Sequence, residues 1–140
     1  MTTEFLSADD IAHVRTSFDR IWSGARRLSD VFYEHLFEAV PEVRPMFRGD
    51  IEEQKRKFIG TLAVIVGSLE NPAVLLPAAE KLAQQHVDYG VTPLHYSVVG
   101  TVLLASLARC LDGHWTPEVA DAWTKAYRVL TAHMIATAYA

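Results

Sequence analysis

Six histidines, His13, His35, His86, His95, His114 and His133, are the side chains best able to hold a metal or move a proton, and their spacing does not group them. One stands apart. His86 continues the apolar face set by Leu82 and Ala83, in the last turn of a helix that Tyr89-Gly90 would end. A neutral imidazole there can donate Nδ1–H to the carbonyl one turn back, near Leu82, which leaves Nε2 free to ligate. A core histidine satisfied by one hydrogen bond gives the same pattern, so spacing alone leaves both readings open. Tyr33, beside Phe32, needs a hydroxyl partner if it is buried. Gln54 sits in the run Glu52-Glu53-Gln54-Lys55-Arg56-Lys57, where a glutamine is ordinarily solvated, yet it lies one turn before Phe58 on a face that becomes apolar.

Other chemistries lack their signatures. There is no glycine-rich phosphate loop, no GxSxG elbow, no HExxH and no CxxC pair, which removes support for nucleotide, hydrolase and structural-zinc readings. Asp9-Asp10 and Glu52-Glu53 are neighbours in sequence and point apart on a helix, so they read as solubilising charge. The single cysteine, Cys110, cannot form an internal disulfide and reads as a buried, inert thiol in an apolar helical run.

The elements that must position these residues are helical throughout, because apolar residues recur at three- and four-residue intervals and no period-two alternation persists. Ser7 with Asp10 caps a first helix whose stripe is Ile11, Val14, Phe18, Ile21 and Trp22, ended by Gly24. A second helix carries Leu28, Val31, Phe32, Leu36 and Phe37 to Val40, where Pro41 and Pro45 stop it. Glu42 to Asp50 is expected to be a corner with at most one helical turn, holding Phe47. A long helix follows from about Asp50 to Leu69, and Asn71-Pro72, Thr92-Pro93 and Thr116-Pro117 each place a cap and a proline at the start of another. These last three carry Leu75 to His86, Tyr96 to Leu111, and Val119 to Ile135.

The chain of 140 residues, half of them hydrophobic, suits one domain over 1–140, and its formal charge of -4 argues against a nucleic-acid footprint. Leu62 to Leu69, the longest apolar-looking run, falls short of the roughly 20 residues that cross a bilayer. Met1-Thr2-Thr3-Glu4 lacks a basic signal region, so the expected location is cytoplasmic with no membrane partner.

Phe32-Tyr33-Glu34-His35-Leu36-Phe37, Pro41-Glu42-Val43-Arg44-Pro45-Met46-Phe47, Gln54, Gln85-His86-Val87-Asp88-Tyr89-Gly90-Val91, His95-Tyr96 and Ala122-Trp123-Thr124-Lys125-Ala126-Tyr127 together resemble, in order and nearly end to end, the bacterial single-domain globins. These are relatives of the globin half of flavohaemoglobins. The resemblance implies an all-α globin fold, a three-over-three helical sandwich around haem b. It implies His86 as the proximal iron ligand, Phe47 as the aromatic wedge at the corner, and Tyr33 and Gln54 facing the open iron site. Phe58, Val91, Tyr96 and Val99 would line the pocket, and Lys57 or Arg56 would meet a propionate. The implied function is reversible binding of dioxygen in storage, delivery or buffering. The alternatives are a nitric oxide dioxygenase served by a separate reductase, since the chain ends without a flavin or nicotinamide module, and a gas sensor acting through a partner protein. Two departures stand out. Flavohaemoglobin globin halves place a glutamate near the end of the last helix beside the proximal histidine and tyrosine, where this chain reads Ala136-Thr137-Ala138-Tyr139. The corner between Phe47 and Gln54 is also shorter.

Overall fold

Ser7 opens the first helix, α1 (Ala8–Trp22), with a reciprocal cap: its Oγ accepts from the Asp10 amide at 3.0 Å, and the Asp10 carboxylate accepts from the Ser7 amide at 3.1 Å. The computed structural model describes residues 6–47 and 49–139, and no strand occurs among them. After α1 come α2 (Ala25–Ala39), α3 (Ile51–Gly67), α4 (Pro72–Asp88), α5 (Pro93–Leu111) and α6 (Pro117–Ala138). Helices α1, α3 and α4 form one layer and α2, α5 and α6 the other, crossing through the α1–α6, α4–α6 and α2–α3 contacts.

The corner after α2 is a six-residue 3₁₀ segment, Pro41–Met46, which is two turns rather than the single turn expected. Pro41 and Pro45 explain it: each fixes a helical φ and lacks the N–H that an α-helix would use, while Val43 and Phe47 donate to carbonyls three residues back at 3.1 Å. Trp22 is 52% exposed and does not belong to the buried stripe of α1, because it is the last residue of the helix and lies beyond Ile21. Asn71 makes no side-chain cap; its carbonyl takes the Val74 and Leu75 amides instead. Cys110 is half-buried rather than buried, and burial pushes its thiol pKa up, away from the reactive thiolate.

With its flanking 3₁₀ turn, α5 runs Pro93–His114 and has the length and apolar composition of a membrane-crossing helix, a run longer than Leu62 to Leu69. In this fold its buried residues Val102, Leu103, Leu107 and Leu111 join the core. Gly100 sets how closely α5 meets α6, since a Cβ there would lie 2.5 Å from the Tyr127 ring. Two polar contacts tie neighbouring helices together. The Trp123 indole N–H of α6 donates to Ser17 of α1 at 2.8 Å. Arg15 of α1 reaches the end of α3, donating to the Gly67 carbonyl at 2.9 Å, where a cation also meets the negative end of the helix dipole.

Candidate functional site

Tyr33, Phe47, Gln54, Lys57, Phe58, His86, Val91, Tyr96 and Val99 all line one cavity of about 550 Å³, within the size range of sites for cofactors and other small molecules. Its walls come from α2 to α6 and the proline corner, and its side chains are mostly apolar. Arg56 instead borders a separate shallow groove beside Trp22 and Lys55. Lys57 stands at the rim, its side chain 62% exposed and 3.8 Å from Glu53.

On the α4 side, the helix ends in a Schellman motif: the Gly90 amide donates to the Val87 carbonyl at 3.0 Å and the Val91 amide to the His86 carbonyl at 2.9 Å. Gly90 supplies the left-handed φ of 86° that this ending needs. His86 therefore occupies a fixed backbone position. Its Nδ1 lies 2.7 Å from the Leu82 carbonyl, the partner one turn back. Only a protonated Nδ1 can make that bond, so in the neutral ring Nε2 carries the lone pair. No hydrogen bond to Nε2 occurs among the described residues. Burial holds the imidazole below its usual pKa, partly offset by the Leu82 bond, so the neutral form is favoured.

Aromatic rings support His86 from behind. Tyr96 packs against it at a ring separation of 5.6 Å, and Tyr139 meets Tyr96 edge-on at 6.0 Å. The Tyr127 hydroxyl donates to the Tyr96 carbonyl and the Tyr139 hydroxyl to the Val91 carbonyl, each at 2.5 Å. The Tyr96 hydroxyl is buried without a hydrogen bond, and burial, then Tyr139, pushes its pKa up.

On the α2 and α3 side, the Tyr33 hydroxyl accepts from Gln54 Nε2 at 3.3 Å. Tyr33 is 3% exposed and burial pushes its pKa up to about 12, against a lowering by Gln54, so it stays protonated. Its own proton finds no acceptor among the described residues and remains available to a molecule in the cavity. Phe47 and Phe58 meet the Tyr33 ring edge-on at 5.5 and 5.8 Å, and Phe58 stacks on Phe32 at 4.4 Å. These contacts hold the phenol in one orientation.

Three aromatic or imidazole groups were not singled out from the sequence as site residues. His95 lines the cavity and caps α5, accepting the Thr92 amide on Nδ1 at 3.0 Å; the signal was its place three residues after a threonine cap. Tyr127 read as one more core residue at helical spacing, and only the need to satisfy its hydroxyl marks it out. Tyr139 read as the residue standing where a carboxylate was missing.

No group of three or more His, Cys, Asp or Glu able to hold a metal ion occurs among the described residues. One free imidazole nitrogen in an apolar cavity suits a metal that brings its own ring of donors and needs only an axial ligand. The comparisons agree. The sequence profile described as Globin matches residues 30–134. A flavohemoprotein of Rhodopirellula baltica is 35% identical over 128 residues, and one of Bordetella parapertussis is 32% identical over 133. These alignments take in 89% and 93% of this chain but 31% and 33% of the relatives, so the chain spans about a third of their length. Among solved structures, an engineered carbene transferase, a candidate nitric oxide dioxygenase from Rhodothermus marinus, superposes with a TM-score of 0.87 at 27% identity, covering 96% of this chain and 94% of that one. A bacterial globin from Campylobacter jejuni superposes with a TM-score of 0.82 at 24% identity, covering 95% and 96%.

Proposed function

Because the chain belongs to the globin family, we propose that it binds haem b through His86 and reversibly binds dioxygen in storage, delivery or buffering. The observation that carries this reading is the His86 imidazole, tied through Nδ1 to the Leu82 carbonyl and left with a free Nε2 in the wall of an apolar cavity. Haem, when bound, supplies an iron at which a diatomic gas exchanges. The protein's part is to hold that group and to choose what reaches it. His86 would hold the iron of that group, Phe47 would wedge it at the corner, and Lys57 at the rim would meet a propionate. Phe58, Val91, Tyr96 and Val99 present an apolar wall that excludes water. Tyr33 offers a protonated hydroxyl to a ligand carrying partial negative charge, and Gln54, by donating to the same oxygen, makes that hydroxyl a better donor.

Titration of the purified protein with haemin tests this directly. One haem per chain with a globin-type absorption spectrum is expected, and His86→Ala is expected to lose the binding. A protein that refuses haemin would sink the reading.

Similarity to flavohemoproteins and to a candidate nitric oxide dioxygenase favours a second reading, conversion of nitric oxide to nitrate with electrons from a separate reductase. Sustained consumption of nitric oxide over many turnovers with an added flavin reductase would favour it over storage.

A further inference from the structure

We infer that His95 is a second anchor for the carboxylates of the bound group, donating from Nε2 to the propionate that Lys57 does not hold. The inference rests on the reading of the cavity as a haem site.

Haem b carries two carboxylates on an otherwise apolar ring, and a cavity that takes up the ring must leave each carboxylate with a donor or with water. Among the described residues that line the cavity there is no Asp or Glu, and Lys57 is the one Lys or Arg. Lys57 comes from α3, stands at the rim and shares its charge with Glu53 at 3.8 Å, so it accounts for one carboxylate. His86 has its Nδ1 committed to the Leu82 carbonyl and its Nε2 to the iron. The other imidazole in the wall is His95, half-buried and supplied by α5. Its Nδ1 accepts the Thr92 amide at 3.0 Å and lies 3.4 Å from the Thr92 hydroxyl. An Nδ1 that accepts leaves the proton of the neutral ring on Nε2, and no acceptor for that proton occurs among the described residues. The backbone bond also holds the ring in one orientation, so donating from it costs little side-chain entropy. Gln85 and Tyr89 line the cavity too, but both are exposed and neither side chain makes a hydrogen bond among the described residues, so a carboxylate would first have to order them. His95 is the third residue of α5, where Glu or Gln completes the same cap on a threonine. Capping and carboxylate binding are therefore separable by substitution.

Transfer of haemin from the loaded chain to an excess of acceptor apoprotein, followed by absorbance, reads how firmly the group is held. The same measurement with haemin dimethyl ester, whose carboxylates are blocked, removes the contact in question. His95→Glu keeps the cap and sets a negative charge where the donor stood. It is expected to lose haemin about ten-fold faster than the wild type and to lose the dimethyl ester at the wild-type rate. His95→Gln, which keeps the cap and gives up the imidazole donor, is expected to lose haemin about three-fold faster. Combined with Lys57→Met, the His95→Glu factor should multiply, because the two side chains serve different carboxylates. A His95→Glu protein that keeps haemin as the wild type does, or that sheds haemin and its dimethyl ester equally faster, overturns the inference and leaves His95 as a cap in a haem protein. Factors that fail to multiply overturn the assignment of separate carboxylates. A wild-type chain that takes up neither porphyrin overturns the haem reading and this inference together.

Discussion

Replacing Tyr33 by phenylalanine removes a cavity-facing hydroxyl that accepts from Gln54 and whose own proton has no acceptor among the described residues, and the cost can be worked from its surroundings. The ring stays in place, because Phe47, Phe58 and Phe37 pack on it whether or not it bears oxygen. What is lost is one hydrogen bond to dioxygen. A neutral bond contributes about 1 kcal/mol and one to a charged partner about 1.5–3, so a ligand of partial negative charge falls near 1.5 kcal/mol. That is roughly ten-fold in release rate. Gln54 complicates the reading, since in Tyr33→Phe its Nε2 loses its acceptor and can turn to the ligand. The single variant should therefore release dioxygen several-fold faster and Tyr33→Phe/Gln54→Leu about ten-fold faster. Gln54→Leu alone leaves Tyr33 a poorer donor and should cost about two-fold. The assay is displacement of dioxygen by carbon monoxide in a stopped-flow spectrophotometer. Release rates unchanged in both Tyr33→Phe and the double variant would refute the role given to this hydroxyl.

Gly100→Ala places a methyl group 2.5 Å from the Tyr127 ring, whose hydroxyl holds the Tyr96 carbonyl. Overpacking of about 1–3 kcal/mol should lower Tm by about 4–10 °C, and an unchanged Tm in calorimetry would show that the α5–α6 approach is looser than it looks. Tyr33, Tyr96 and Tyr127, three of the five tyrosines, have hydroxyls that burial pushes above the ordinary value, Tyr33 to about 12. The unfolded chain releases these protons near pH 10 and the folded chain keeps them, so the associated stability is complete below about pH 10 and falls as pH rises beyond it. Absorbance titration should show three tyrosinates forming only as the helical signal is lost; a full set ionising near pH 10 in the folded protein would contradict the burial.

Helix number, order and starts were legible because their causes are local. Ser7 with Asp10, the threonine-proline pairs and Gly90 each act within one turn of chain, and each does so here. The Leu82 partner of His86 was legible for the same reason, being one helical turn away. What escaped was set by distance in the fold. Nothing in the local pattern of Trp22 shows that α1 leaves the core after Ile21. The choice of Lys57 over Arg56 at the cavity rim depends on the rotation of α3 against its neighbours, and adjacent residues on a helix differ by about 100°. The Tyr139 bond to Val91 spans 48 residues, beyond any periodicity argument.

The acceptor facing His86 Nδ1 bears on what chemistry suits the site. A carboxylate there would share the Nδ1 proton and draw the ring toward imidazolate, which strengthens donation from Nε2 to a metal. Here the acceptor is the Leu82 carbonyl, and the influences on the ring are burial and that one bond, with no carboxylate among them. Tyr139, in the stretch where a glutamate was expected by resemblance, spends its hydroxyl on the Val91 carbonyl rather than on the imidazole. Under the proposed function His86 would thus be a neutral ligand held firmly in place, the combination that favours letting a gas bind and leave over driving its bond cleavage.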